Sequence, residues 1–288
     1  MGGRLRFWLK VSRPGLWFPT IWLYLMPLAG RPLGEGAAFW AGLAFVTFPL
    51  NFWVYGWNDR VDRETDRQNP RKDSYLFGAR GTDAQLDTLP RAMAAVVGLS
   101  VAALTALGGP AVLAIAVAIG AFLWAYNHET AGLRGRPPGD LLCQVGYLLT
   151  VALSCVLNGV PAPAPAVWAY LALFCAQAQL VGEVMDIAPD RAAGRRTTAT
   201  VLGSGATRLV LIAVVAAEVA LLGLVFGDWI FAGGLAAFWL WLVVDRFVLF
   251  PRGEYTVAQM KALGLGGNAA ALASMAYVQW SGLFGTAA

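Results

Sequence analysis

Residues 37–66 read AAFWAGLAFVTFPLNFWVYGWNDRVDRETD, an apolar run that ends abruptly in a stripe of acidic and basic side chains. Crossing the hydrocarbon core of a bilayer takes about 20 mostly apolar residues in a helix. Residues 37–57 meet that length without one charged side chain. The stretch therefore predicts a transmembrane helix whose charged end emerges from the membrane.

The rest of the chain repeats this alternation of apolar stretches and short polar segments. Of its 288 residues, 58% are apolar and 13% are charged, a composition too apolar for a soluble domain of this length. We predict an all-α, polytopic membrane protein with a single domain over residues 1–288 and about nine transmembrane helices. The spans are expected near 16–30, 37–57, 91–107, 111–126, 140–158, 165–184, 207–226, 228–250 and 262–284.

The basic residues indicate how the chain is oriented. Nine crossings would place every Lys and Arg except Arg31 on the same side of the membrane. Short cytoplasmic loops collect Lys and Arg, so we predict a cytoplasmic N-terminus, in the cell inner membrane if the source is bacterial. The net charge of +4 then reflects this topology and the lipid surface, not nucleic-acid binding.

The first charged stripe has helical spacing. If the second span continues into it, side chains three or four residues apart share one face. This face carries Asn51, Tyr55, Asn58 or Asp59, Asp62 and Asp66. Mg²⁺ favours carboxylate oxygens combined with water and substrate phosphates. The stripe therefore predicts a site that holds Mg²⁺ against a diphosphate.

A second stripe follows four crossings later, on the same side of the membrane. Its members, again at helical spacing, are Gln179, Glu183, Asp186 and Asp190, and they run into Arg191, Arg195 and Arg196. Two carboxylate columns would clamp a metal-bridged diphosphate, with Arg and Lys neutralising the remaining phosphate oxygens. The alternative is that these are solvated charges at helix ends. Two matching stripes on one side favour a functional site over that alternative.

Three motifs in this order resemble the UbiA superfamily of intramembrane prenyltransferases. The segment NDRVDRETDRQNPRK at 58–72 is similar to the first aspartate-rich signature of that family, and DIAPDRAAGRRTTATVLG at 186–203 is similar to the second. Between them, Tyr126 is followed by the basic loop LRGRPPGD at 133–140, which looks like the third motif.

The resemblance implies a helical bundle around a central cavity and Mg²⁺ as cofactor. It implies that the metal and diphosphate are held by Asn58, Asp62, Asp66, Asp186 and Asp190. On the same resemblance, phosphate is contacted by Arg71, Lys72, Arg134, Arg136 and Arg195 or Arg196. Tyr126 would line the reacting end of the donor, with Tyr55 and Asn51 also beside the substrate.

The expected activity is transfer of an isoprenyl group from an allylic polyprenyl diphosphate to a lipophilic acceptor, which we expect to be aromatic, such as a quinone-precursor ring. Ionisation of the allylic C–O bond needs charge stabilisation on the departing diphosphate. We predict Asp59, Tyr126 and Arg134 as catalytic residues, with Asp59 a candidate to take the proton from the acceptor. His128 is an alternative base.

Several alternatives stay open. The loops at 73–74 and 127–130 depart from the family pattern, so the acceptor could instead be a tetrapyrrole, a carotenoid or glycerol phosphate, or the prenyl chain could be cyclised. A transporter or binder of phosphorylated lipid is a non-enzymatic alternative, but its site is expected at the bilayer midplane. Glu218, inside an apolar span, is expected to be a buried, protonated or hydrogen-bonded carboxyl, with substrate contact as the alternative. Donor length and oligomeric state are not determined by the sequence.

Overall fold

The computed structural model describes residues 2–249 and 255–285, and these are built from helices without a β-strand. The α-helices, numbered α1 to α14, are Gly2–Val11, Phe18–Leu25, Gly36–Thr47, Pro49–Val61, Arg63–Gln68, Asp83–Leu86, Leu89–Gly108, Pro110–Asn127, Gly139–Leu142, Leu149–Asn158, Pro165–Ala192, Thr198–Ala220, Trp229–Val244 and Val257–Ser281. Two π-helical turns, Leu221–Val225 and Asp245–Leu249, extend α12 and α13. The all-α prediction is confirmed.

Within the described residues, seven helical stretches are long and apolar enough to cross a membrane. They are Gly36–Val61, Asp83–Gly108, Pro110–Asn127, Gly139–Asn158, Pro165–Ala192, Thr198–Val225 and Trp229–Leu249. The predicted first span is the shorter apolar helix Phe18–Leu28. The predicted last span is α14, which has 25 residues but carries glycines, Asn268 and Gln279. The polytopic architecture is confirmed, whereas the count of nine transmembrane helices is not.

Large apolar side chains cover much of the outer surface, as expected for a protein surrounded by lipid. Trp280 is 80% exposed, Leu224 76% and Leu99 75%. Patches of this kind are uncommon on soluble monomers, where they mark contact surfaces. Here their distribution over several spans agrees with the hydropathy of the sequence.

The span at Gly36–Val61 is broken between α3 and α4, directly before Pro49. Proline has no backbone N–H and disrupts the helical hydrogen-bond ladder. The fully buried Asn51 compensates: its Nδ2 donates to the carbonyl oxygens of Val46 at 2.8 Å and Thr47 at 3.0 Å, and to Thr20 Oγ1 at 2.8 Å. Asn51, predicted beside the substrate, therefore lies at a helix break.

Two packing arrangements bring the ends of the helices together. Helices α11 and α12 pack along each other, and the short α5 contacts α11. Because α5 carries Asp66 of the first acidic stripe and α11 carries the second stripe, this contact places the two stripes side by side.

Asn51→Ala is expected to lower the free energy of unfolding by about 1–3 kcal/mol, because it removes the amide that donates to the carbonyls of Val46 and Thr47 and to the Thr20 hydroxyl. The melting temperature in detergent measures this loss. Ser100→Ala is the matched control, since its hydroxyl bonds only to the carbonyl of Val96 in its own helix. A variant that melts like wild type but binds diphosphate weakly would instead place Asn51 beside the substrate.

Candidate active site

The first stripe does not form one straight column, because the helix changes direction at Asp62, between α4 and α5. Asp59, which is 2% exposed, accepts from Arg13 Nη2 at 2.6 Å and from Lys72 Nζ at 2.7 Å. Lys72 also pairs with Asp66 Oδ2 at 2.7 Å. Asp59 and Asp66 are therefore joined through one lysine.

Arg195 joins the two stripes. Its guanidinium pairs with Asp62 of the first stripe, and its Nη1 lies 3.1 Å from Asp190 Oδ1 of the second. Arg134, from the loop between α8 and α9, contacts the same Asp62 carboxylate. Arg71 reaches across from the loop after α5 to Asp186. Carboxylates from distant segments thus meet at one end of the bundle.

The structure brings most of the predicted site residues to this end. The group consists of Asp59, Asp62, Asp66, Asp186, Asp190, Arg71, Lys72, Arg134 and Arg195. Asn58 lies at its edge, with Oδ1 3.5 Å from Arg13 Nη2. Arg136 and Arg196 are exposed instead, and Arg136 donates to the carbonyl of Thr130.

Arg13 was not predicted as a site residue. Besides its bond to Asp59, its guanidinium lies 4.4 Å from the centre of the Tyr55 ring. Its backbone is left-handed, with φ of 52°, where the chain turns out of α1 into Pro14. In the sequence Arg13 reads as one of several basic residues before a span. The Pro14-Gly15 break after it was the only local signal that its side chain would turn inward.

Two buried carboxylates hold the N-terminus of α12: Asp140, to which the sequence analysis gave no role, and Glu183, which it counted in the second stripe. Asp140 accepts from the backbone N–H of Thr198 at 2.5 Å and from its hydroxyl at 2.7 Å. Glu183 Oε2 accepts from the N–H of Ala199 at 3.0 Å. The first N–H groups of a helix lack partners within the helix and favour negative charge. This anchoring fixes the segment that carries Arg195.

Aromatic side chains lie on the membrane side of the ion pairs. The hydroxyl of Tyr126 accepts from Gln179 Nε2 at 3.3 Å, and the same amide donates to Glu183 at 2.9 Å. Tyr147 lies on the helical turn Cys143–Leu148, which packs against α8, the helix that carries Tyr126. Helix α8 also contacts α4, which carries Tyr55. We call Tyr55, Tyr126 and Tyr147 the tyrosine group.

Burial shifts the pKa of two charged groups at the edge of the site. Burial raises the pKa of the Asp66 carboxyl, and the nearby Lys72 ammonium opposes that rise. Burial lowers the pKa of Arg134 to about 9, assisted by the charge of Arg195. Arg134 therefore stays protonated at neutral pH and keeps its charge beside Asp62.

The donor set suits Mg²⁺, because carboxylate and amide oxygens are hard ligands. Asp66 Oδ2 and Asp186 Oδ1 are buried and face cations without a well-directed hydrogen bond, so both retain acceptor capacity. In the described residues no three acidic, Cys or His side chains are grouped closely enough to hold a metal ion. The physical reason is that Arg and Lys side chains lie between the carboxylates.

Asp140→Asn is expected to cost about 1–3 kcal/mol, because the amide cannot accept from both donors of Thr198 as a carboxylate does. The melting temperature in detergent should fall accordingly. Asp73→Asn, which removes the exposed pair with Lys10, should cost less than about 1 kcal/mol. Equal melting temperatures for the two variants would contradict the anchoring role of Asp140.

Comparisons with known proteins agree with the family resemblance of the three motifs and with the fold. A model of the UbiA prenyltransferase family matches residues 16–259. The chain is 28% identical over 240 residues to a lycopene elongase/hydratase of Corynebacterium glutamicum, covering 79% of this chain and 80% of that protein. It is 30% identical over 218 residues to a lycopene elongase/hydratase of Haloferax volcanii, covering 72% and 68%.

The fold is also similar to that of solved structures. A UbiA homologue from Archaeoglobus fulgidus bound to DMAPP and Mg²⁺ superposes with a TM-score of 0.69 at 16% identity, over 94% of this chain and 99% of that chain. The same homologue bound to GPP and Mg²⁺ gives 0.65 at 15% identity, over 93% and 99%. The resemblance predicted from three short motifs therefore extends over most of the chain, and this protein belongs to the UbiA prenyltransferase family.

Proposed function

We propose that this prenyltransferase transfers a short prenyl group from an allylic diphosphate such as DMAPP to a linear carotenoid of the lycopene class. The observation that carries the proposal is the pairing of Arg195 with both Asp62 and Asp190, which joins the two acidic stripes beside the tyrosine group. The lycopene elongase/hydratase relatives support a carotenoid acceptor. That acceptor was an alternative to the aromatic ring in the sequence analysis.

The donor diphosphate would bind among the side chains that now pair with one another. Arg71, Lys72, Arg134 and Arg195 can exchange their carboxylate partners for phosphate oxygens, which Arg binds in a bidentate manner. This exchange would release the carboxylates of Asp62, Asp66, Asp186 and Asp190. Together with Asn58, they would hold Mg²⁺. Bound Mg²⁺ neutralises the charge that develops on the leaving oxygens.

Asp59 is better suited to positioning than to proton transfer. Its Oδ1 already accepts from two cations, Arg13 and Lys72, and the side chain is buried between them. We therefore assign Asp59 to holding Arg13 and Lys72 in place.

The tyrosine group would shield the allylic cation. Ring faces attract cations by up to about 2 kcal/mol when water is excluded. Gln179 holds the Tyr126 hydroxyl, and Glu183 holds Gln179, so the ring of Tyr126 is oriented by α11. Arg134 would stabilise the departing diphosphate, and Tyr126 would contact the prenyl group.

The apolar outer surface supports an acceptor that arrives dissolved in the bilayer. We place the ion-paired end, with the N-terminus, on the cytoplasmic side, in the inner membrane if the source is bacterial. This follows from the one-sided distribution of Lys and Arg. The single-domain organisation over residues 1–288 stays a prediction.

Asp62→Ala and Asp186→Ala should each lower turnover about 100-fold or more, because each removes a carboxylate that would hold the Mg²⁺ bound to the diphosphate. Turnover is measured as prenylated product by mass spectrometry, with Mg²⁺ and after EDTA. EDTA should abolish the product, and added Mg²⁺ should restore it. The exposed Asp73→Ala is the control and should retain wild-type turnover. Full activity in EDTA would exclude a metal-dependent donor site.

The acceptor is tested with purified protein in lipid vesicles that contain lycopene, with DMAPP or GPP as donor. We expect lycopene to gain one five-carbon prenyl unit from DMAPP, detected by its mass. A parallel reaction supplies a phenolic quinone precursor at the same concentration. Product from the phenol alone would overturn the carotenoid assignment and return the acceptor to the aromatic class.

A further inference from the structure

Arg71 is a long side chain that crosses the donor site. It begins in the loop after α5 and pairs with Asp186 on α11, and its side chain is only 10% exposed. Its Nε has no hydrogen-bond partner among the described residues. Because the proposed diphosphate site uses this guanidinium, its position would affect how tightly the donor binds.

The ring of Phe77 lies against this guanidinium. The Cζ atom of Arg71 is 5.0 Å from the centre of the ring, and Phe77 is 4% exposed. Ring faces attract cations, most strongly where water is excluded. Such a contact uses none of the N–H donors of the guanidinium, which stay available for carboxylate or phosphate oxygens. Phe77 can therefore hold Arg71 without competing with its ligand.

Hydrogen bonds fix the turn at 74–78 that carries Phe77. Ser74 and Gly78 exchange two backbone hydrogen bonds, at 2.9 and 3.0 Å. The N–H of Phe77 donates to Ser74 Oγ at 2.9 Å, and this hydroxyl donates to the carbonyl oxygen of Arg71 at 3.4 Å. The turn is therefore bonded to the backbone of the arginine whose side chain the ring contacts.

The side chain of Leu76 packs the same turn against α14 and against the chain after α1. It lies so close to Gly15 and Gly264 that a Cβ added to these residues would be 2.6 Å and 2.9 Å from it. The N–H of Gly15 donates to the carbonyl oxygen of Tyr75 at 3.0 Å. Asn268 of α14 donates to the carbonyl oxygen of Gly15 at 2.7 Å. The position of the Phe77 ring is thus determined by contacts with two other segments.

We propose that Phe77 is a positioning residue for the donor diphosphate, because its ring face holds the Arg71 guanidinium in the site. A guanidinium that is already ordered loses less rotamer freedom when it binds phosphate, so the ring increases affinity. Phe77 belongs to the loop that starts at 73–74, where the sequence departs from the family pattern. The inference rests on the diphosphate site of the proposed function and requires no particular acceptor.

Phe77→Leu removes the ring face and keeps a large apolar side chain. A buried cation–ring contact reaches about 2 kcal/mol, and about 1.4 kcal/mol is a factor of ten, so the Kd for inorganic diphosphate should rise about 10- to 30-fold. Phe77→Tyr keeps the ring face, and its Kd should stay within about threefold of the wild-type value. The Kd is measured by titration calorimetry with purified protein in detergent and a fixed concentration of Mg²⁺.

Fluorinated phenylalanines at position 77 separate the charge of the ring from its packing. Each added fluorine withdraws negative charge from the ring face while the ring keeps its shape, so the Kd should rise with every fluorine. The melting temperature should stay at the wild-type value. Phe247→Leu is the matched control, because this exposed ring lies 5.2 Å from Arg246 Cζ and the pair is not part of the ion-paired site. Its Kd for diphosphate should equal that of wild type.

The outcomes separate this inference from the proposed function. A Kd that stays constant along the fluorinated series overturns the inference, even where Phe77→Leu binds weakly, because packing alone then explains the leucine variant. If Phe77→Leu fails to fold, the fluorinated series decides. Failure of the wild-type protein to bind diphosphate with Mg²⁺ overturns the donor site, and the inference with it. The expected trend in Kd without any prenylated lycopene overturns only the carotenoid acceptor and supports the role of Phe77.

Discussion

Pairing of buried carboxylates with cations at one end of the helical bundle is the interaction on which this structure depends. A charge removed from water is stable only when an opposite charge or several hydrogen-bond donors compensate it. Arg195 supplies that compensation to Asp62 and Asp190 together, and Lys72 supplies it to Asp59 and Asp66. These two cations hold segments that are far apart in the chain, and the same pairs mark where a polyanionic ligand can bind.

The donor site and the membrane-spanning part are coupled through α11 and α12. Glu183 binds the N-terminus of α12 and, through Gln179, orients Tyr126. One buried carboxylate therefore connects the segment that carries Arg195 with an aromatic ring on another helix. A displacement of the segment that carries Arg195 would therefore reach the ring of Tyr126 through Glu183 and Gln179.

The comparisons and the geometry bear on different parts of the function. The family match and the shared fold support the helical bundle and the prenyl transfer. The similarity to lycopene elongase/hydratases bears on the choice of acceptor. The carotenoid acceptor that we propose would offer no polar group for recognition, so its position would depend on the shape of the apolar interior.

The sequence by itself determined the membrane environment, the all-α fold and the two acidic stripes, because hydropathy and helical spacing are local properties that require no knowledge of tertiary contacts. Its count of nine spans is not confirmed, since the first apolar helix, which contains Pro27, is short and polar residues lower the hydropathy of the last. Only the tertiary structure placed Arg13 against Asp59, Asn51 against Thr20 and Asp140 against Thr198. These contacts unite residues up to 58 positions apart. Their partners are chosen by how the helices pack, and no spacing within one segment encodes that choice.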